Sequence, residues 1–181
     1  MAGETKTLGI SGWIQAVAIG RRPRRTLVRL TVLITLAVCV FLLFSFVLMP
    51  VRINGPSMMP TYQNGEINFI NRLAYMNHEP QRGDVVGVRF SGPHVMYVKR
   101  IVGLPGETIS FTGGCVCIDG KVLDEPYLKF PSTDWESPPK HLGPAEYYVV
   151  GDNRSMPFED HQKGATERRR IIGRIVLHGQ S

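Results

Sequence analysis

Ser57 and Lys99 are the two residues whose types and settings could do chemistry together. Ser57 stands in Asn-Gly-Pro-Ser-Met-Met-Pro-Thr (54–61), between Pro56 and Pro60 and just after Gly55. Proline fixes φ and removes a backbone donor, so this segment suits neither a helix interior nor a central strand. It reads as a stiff turn that could hold a hydroxyl and a backbone N–H toward a cleft. Lys99 stands in Tyr-Val-Lys-Arg-Ile-Val-Gly (97–103), a run with strand composition. Alternate residues of a strand share a face. Lys99 is therefore expected beside Tyr97 and Ile101, with Arg100 turned the other way. A free lysine titrates near ~10.4 and is no base at neutral pH. An apolar strand face disfavours the ammonium and lowers that value, which makes the amine a usable base. Serine with a lysine base can carry acyl transfer without His or Asp. Each residue alone has a plainer reading: a linker turn for Ser57, and a side chain reaching water at a strand edge for Lys99.

The elements that must position them read as β. Twelve of the 13 prolines fall at or after residue 50, so this part is cut into short runs. Val-, Ile-, Phe- and Tyr-rich stretches lie at 67–70, 85–90, 96–102, 108–111, 115–118, 147–150 and 171–177. Asp119-Gly120 between two such runs predicts a two-residue hairpin. Residues 71–76 are the one place where a short helix competes, and 129–144 read as loop. The expected fold is mostly β, a small barrel-like or sandwich-like domain preceded by one N-terminal transmembrane helix.

That helix is expected over 30–49, a stretch without charge, Pro or Gly. About 20 residues at ~1.5 Å each span the ~30 Å hydrocarbon core. The stretch exceeds the usual length of a cleaved leader's apolar region, and no small-x-small pair closes it. It reads as a retained anchor. Six basic residues and one acid precede it, whereas fifteen basic residues meet fourteen acids after it. The net charge of +6 is thus concentrated before the anchor. A nucleic-acid binder would carry the excess on its folded domain, so no nucleic-acid partner is expected. The positive-inside rule makes 1–29 a cytoplasmic tail and 50–181 an extracytoplasmic domain. Residues 10–19 could form a short helix lying on the membrane. Arg168-Arg-Arg170 reads as an exposed polar face, with anionic headgroups as a possible contact.

Cys115 and Cys117 are two apart on an expected strand. A bridge between them would strain a regular strand, so they read as two small thiols, or as a pair where the strand is kinked. None of the five histidines has zinc-type spacing to them. No metal and no cofactor is expected.

Ser-Met-x-Pro (57–60), Arg-Gly-Asp-Val (82–85), Val-Lys-Arg-Ile-Val-Gly-Leu-Pro-Gly-Glu (98–107) and Val-Val-Gly-Asp-Asn-Arg (149–154) follow in that order. With the anchor and the terminal Ile-Gly-Arg-Ile, the series resembles the type I signal peptidases, the leader peptidase family, over most of the chain. The resemblance implies a membrane-bound serine endopeptidase that removes signal peptides from exported proteins and cleaves after small residues, in the A-x-A pattern. Ser57 matches the nucleophile and Lys99 the general base of an acyl-enzyme mechanism. Gly55, Met58 and the Ser57 N–H become candidates for the oxyanion and substrate site. Tyr97 falls where a family residue packs against the lysine. Asp84, Asp152 and Arg154 match motifs that support the site. The implied partners are preproteins, the lipid bilayer and the secretion translocon, and the implied location is the bacterial inner membrane.

Two positions depart from the family pattern. Gly55 replaces the serine that many members have two residues before the nucleophile. After Arg154, members commonly read x-Asn-Ser-x-Asp-Ser-Arg, whereas this chain reads Ser-Met-Pro-Phe-Glu-Asp-His (155–161). The hydroxyl that would meet the lysine falls on Pro157, so Ser155 or a water is expected to substitute. Glu159 or Asp160 is expected to pair with Arg154. The altered segment also keeps two other readings open: a catalytically silent membrane adaptor, and a dedicated processing peptidase for few substrates.

Overall fold

The computed structural model describes residues 23–91 and 95–176. The 10–19 stretch, Arg21, Arg22, His94 and His178 lie outside them. Two compact units divide between Leu43 and Phe44.

The first unit is helix α1, Pro23–Leu42. Proline opens it where its missing N–H would be unpaired in any case. From Leu30 on it carries no charge on any side and is exposed, with Leu33 at 60% and Phe41 at 67%. The helical stretch 24–47 holds an 18-residue window with a mean hydropathy of 2.8 and is long and apolar enough to cross a membrane. The helical region is displaced from the 30–49 expected. The α-helix ends at Leu42, Leu43–Val47 form a π-helical turn, and Leu48 and Met49 are already in a strand. Pro50 disfavours helix at Met49 and at itself, and the chain beyond finds a strand to pair with.

Among the described residues the second unit carries eleven strands: β1 Leu48–Arg52, β2 Ile67–Asn71, β3 Val85–Ser91, β4 Val95–Gly103, β5 Thr108–Thr112, β6 Cys115–Ile118, β7 Lys121–Val122, β8 Ser137–His141, β9 Glu146–Val150, β10 Gly164–Glu167 and β11 Ile171–Ile175. They form a seven-stranded sheet, β1-β2-β11-β3-β4-β9-β10, and a four-stranded sheet, β7-β6-β5-β8. All paired strands run antiparallel. The mostly-β expectation holds, as two sheets.

Strands β4 and β9 lie inside the larger sheet, and their alternation feeds separate cores. From β9, Tyr148 and Val150 join Val102, Phe111 and Trp135, while Tyr147 and Val149 join Val86, Val88 and Ile101. Val98 enters a third cluster with Ile53, Met58 and Tyr62. Burying each such side chain stabilises the fold by about 1.5–3 kcal/mol. A polar side chain on β4 therefore emerges among apolar neighbours.

The strands not foreseen, β1, β8 and β10, are all edge strands. An edge tolerates proline because one row of backbone groups has no strand partner. Hence Pro50 lies in β1, and Pro138 and Pro139 lie in β8, inside the stretch read as loop. Residues 72–78 are turns and bends rather than a short helix.

The hairpin signal is borne out. Cys117 pairs with Val122 and Ile118 with Lys121, and both Asp119 (φ 50) and Gly120 (φ 77) are left-handed. That is the conformation a type I′ turn needs. Gly120→Ala should cost about 1 kcal/mol through the Cβ penalty, lowering the melting temperature by about 3 °C. A calorimetric scan reads it directly. Cys115 is exposed, Cys117 is buried, and both are free thiols.

Candidate active site

The turn carrying Ser57 is held by backbone hydrogen bonds, by the Asn64 side chain and by the buried Met58. Gly55 takes φ 98, a left-handed value open to glycine, and its N–H donates to Asn64 Oδ1 at 2.9 Å. Met59 N–H donates to the Pro56 carbonyl and Tyr62 N–H to the Met58 carbonyl, each at 3.0 Å. The Met59–Pro60 peptide bond is cis. Met58 is 1% exposed and packs with Ile53, Tyr62, Ile70 and Val98, so the residue after the serine anchors the turn in the core. A cleft of about 160 Å³ opens over the turn, lined by Val51, Ile53, Ser57, Met58, Met96 and Tyr97 among others.

Lys99 reaches that turn from β4, paired opposite Val86 of β3. It is 1% exposed, and its Nζ lies 2.7 Å from Ser57 Oγ. Burial pulls its pKa down to about 8, partly opposed by the negative charge of Asp152. Tyr97 lines the cleft with Ser57, as strand alternation places it on the Lys99 face.

Arg100 points elsewhere. Its Nε and Nη2 donate to both oxygens of Asp152 at 2.8 and 2.6 Å, and its Nη1 donates to the Gly83 carbonyl at 2.8 Å. Its guanidinium stacks 3.9 Å over the Tyr127 ring. Asp152 also accepts from the Thr61 hydroxyl at 2.6 Å. One buried carboxylate thus ties β4 to the end of the Ser57 turn.

The segment after β9 clamps the turn from the other side. Gly151 has no room for a side chain: a Cβ there would lie 2.1 Å from the Ser57 carbonyl oxygen and 2.5 Å from His161 Cε1. Asn153 N–H donates to the Ser57 carbonyl at 3.0 Å, and its Nδ2 donates to the Pro56 carbonyl at 3.1 Å. Arg154 is fully buried. It donates from Nε to the Gly151 carbonyl at 2.8 Å and from both Nη atoms to Glu125, at 3.2 and 2.6 Å.

Several expectations change here. The acid paired with Arg154 is Glu125, not Glu159 or Asp160. A fully buried guanidinium takes the carboxylate that is buried with it, and Glu125 is 5% exposed in its side chain. Ser155 does not turn to Lys99: its hydroxyl donates to Asn153 Oδ1 at 2.6 Å. Asp84 binds the Tyr75 hydroxyl and the Gln81 N–H, at 2.9 and 3.0 Å, and so closes the turn before β3, a structural contact of the kind expected of it. Arg168–Arg170 form a 3-10 turn in which Arg168 pairs with Glu79 and Arg169 with Glu167. Sequence reading missed Glu125, Asn153 and His161 as contributors. Asn153 lay inside a quoted motif, whereas nothing local distinguished Glu125 or His161.

The site thus holds a hydroxyl against a buried amine of lowered pKa. The model of the family described as signal peptidase, peptidase S26, matches residues 24–178. The chain belongs to that family. It is 33% identical over 133 residues to a signal peptidase I of Leptolyngbya laminosa, covering 69% of this chain and 65% of that one. It is 33% identical over 178 residues to signal peptidase I P of Bacillus subtilis subsp. natto, covering 93% and 88%. Signal peptidase I S of Bacillus subtilis is 34% identical over 152 residues, covering 77% and 82%. The match thus spans less than two thirds of the Leptolyngbya relative, and only 60% of a Synechocystis one. A crystal structure of a signal peptidase I from Enterococcus faecalis aligns with a TM-score of 0.43 at 23% identity, over 54% of this chain and 97% of that one.

Proposed function

We propose that this chain is a membrane-bound serine endopeptidase that removes N-terminal signal peptides from exported proteins, with Ser57 as nucleophile and Lys99 as general base. The observation that carries the reading is the 2.7 Å approach of Ser57 Oγ to a buried Lys99 amine of lowered pKa.

With Lys99 neutral, its lone pair takes the Ser57 proton as Oγ attacks the scissile carbonyl. The tetrahedral oxyanion is met by the Ser57 N–H; Gly55 offers no hydroxyl to assist. Lys99 then gives its proton to the leaving amine, and the acyl-enzyme remains. Water, deprotonated by Lys99, attacks the ester and frees Ser57. The cleft beside Ser57 is small and lined by Val51, Ile53, Met58 and Met96, which suits small side chains of an A-x-A site in an extended substrate.

Helix α1 supplies the membrane anchor in this reading. The basic residues before it place the N-terminus in the cytoplasm and residues 50–181 outside the inner membrane of a bacterium. The partners are then preproteins, lipid and the secretion translocon. A dedicated peptidase for few substrates would share the chemistry and differ only in its substrate profile. A silent adaptor would have no use for the base-ready contact at Ser57.

The test is cleavage of a preprotein bearing an A-x-A site by the full chain in detergent, beside Ser57→Ala. The expected result is cleavage at the A-x-A bond by the wild type alone. Binding without turnover would favour the adaptor.

A further inference from the structure

In the proposed mechanism one backbone donor, the Ser57 N–H, meets the oxyanion, because Gly55 brings no hydroxyl. The direction of that donor is set by the peptide unit that joins Pro56 to Ser57. The unit is trans, so its N–H and its C=O point opposite ways. Whatever grips the Pro56 carbonyl therefore aims the Ser57 N–H. Two donors grip it: Met59 N–H at 3.0 Å from within the turn, and Asn153 Nδ2 at 3.1 Å from the segment after β9. They engage both of its lone pairs. The next carbonyl, that of Ser57, accepts from Asn153 N–H at 3.0 Å. One residue outside the turn thus holds the carbonyls on both sides of the Ser57 Cα.

Asn153 is itself held. It is buried and forms an isolated parallel bridge with Phe130. Its Oδ1 accepts from the Ser155 N–H at 3.3 Å and from the Ser155 hydroxyl at 2.6 Å. An N–H can only donate, so the atom it meets is the amide oxygen, and the amide nitrogen is left to face Pro56. The Asn153 carbonyl lies 3.0 Å from His161 Nε2, which carries the hydrogen because a carbonyl only accepts. The side chain therefore has one orientation, and its donor is committed to the Pro56–Ser57 peptide.

We propose that Asn153 is a positioning residue for the oxyanion donor: its side-chain amide and its backbone N–H grip the carbonyls of Pro56 and Ser57, and so aim and polarise the Ser57 N–H. The role rests on the peptidase reading given above. Polarisation follows from the same contact as aim. A peptide whose carbonyl accepts hydrogen bonds donates more strongly through its own N–H. A site with glycine at position 55 has one donor to orient, and Asn153 orients it from behind, without touching the substrate.

Asn153→Ala removes the grip on Pro56 and keeps the backbone contact to Ser57. With a preprotein substrate, kcat should fall about 10- to 100-fold, part of what the loss of an oxyanion donor costs, with KM changed less than about two-fold. The acid limb of kcat/KM should stay in place, because removing a neutral amide changes no charge near Lys99. A peptide aldehyde with the A-x-A pattern, to whose carbonyl carbon Ser57 Oγ adds, should bind more weakly by the factor lost in kcat/KM. Mere loss of folded enzyme would lower kcat and leave that affinity alone. An unchanged kcat, a moved limb or an unchanged aldehyde affinity overturns the proposal. Asn153→Asp keeps the shape and the acceptor for Ser155 but sets an oxygen against the Pro56 carbonyl. At about pH 9, with the carboxyl ionised, it should lose at least as much, and activity within about two-fold of the wild type overturns the proposal as well. Carbon-13 NMR reads the grip without turnover. The Pro56 carbonyl resonance should move upfield in Asn153→Ala, as a carbonyl does on losing a donor, and an unmoved resonance also overturns it. Should the wild type fail to cleave the preprotein, the peptidase reading fails, while the Pro56 resonance still judges Asn153 by itself.

Discussion

Lys99→Ala is expected to abolish preprotein cleavage, with a loss of about 10⁴-fold or more in kcat/KM. No other base is in hydrogen-bond contact with Ser57 Oγ among the described residues, and a serine hydroxyl without a base is a poor nucleophile. Lys99→Arg should be equally inactive, because guanidinium does not deprotonate in this pH range. The two substitutions together separate loss of the base from loss of charge. The wild-type pH profile follows from the same group. Lys99 titrates at about 8, and only its neutral form accepts the Ser57 proton. Below that pH, kcat/KM should fall about tenfold per unit, and above it the rate should level off. A limb near the free-lysine value would show that burial does not tune this amine. Residual activity in Lys99→Ala near the wild-type level would remove Lys99 from the mechanism.

Asp152→Asn should have the second largest effect, and it acts on stability and pH profile at once. Its carboxylate takes two hydrogen bonds from Arg100 and one from Thr61, with Arg100 8% and Asp152 0% exposed in their side chains. Removing the charge leaves a buried guanidinium without its counter-ion. Breaking such a pair costs about 3–5 kcal/mol, equivalent to a melting temperature lower by about 10 °C. The sign for Lys99 is the opposite of a protective one. Asp152 raises the Lys99 pKa, so its neutralisation lets burial act alone and moves the acid limb of kcat/KM to lower pH. The variant should thus melt earlier yet keep a larger share of its remaining activity under mildly acidic conditions. Thermal unfolding in detergent and a pH series on the same sample measure both. Stability equal to the wild type would mean that water replaces Asp152 at Arg100.

The contrast between the two basic neighbours on β4 shows why they cannot be exchanged. Lys99 and Arg100 are adjacent and both buried. Arg100 has a bidentate carboxylate and an aromatic face, and both favour a permanent charge. Lys99 has a hydroxyl and apolar walls, which favour loss of the proton. Strand alternation alone turns one toward the salt bridge and the other toward the Ser57 hydroxyl.

Local rules determined much of this protein by themselves. The uncharged run after a basic cluster marked the helix long and apolar enough to cross a membrane. The short β-branched runs marked the inner strands, and Asp119-Gly120 marked its hairpin, because apolar periodicity and left-handed turn residues act within a few positions. Pro56, Pro60 and Gly55 marked the stiff turn at Ser57, and alternation on 97–101 marked the face of Lys99. The edge strands β1, β8 and β10 escaped the same rules, because an edge accepts prolines and polar residues that composition assigns to loops. Only the tertiary structure decided the supports of the site. Glu125 became the partner of Arg154, and His161 came to lie beside Gly151 and the Ser57 carbonyl, because burial pairs groups by proximity in space. A carboxylate or an imidazole does not disclose in its own neighbourhood which distant charge it will be desolvated with, and that shared desolvation is what fixes its role.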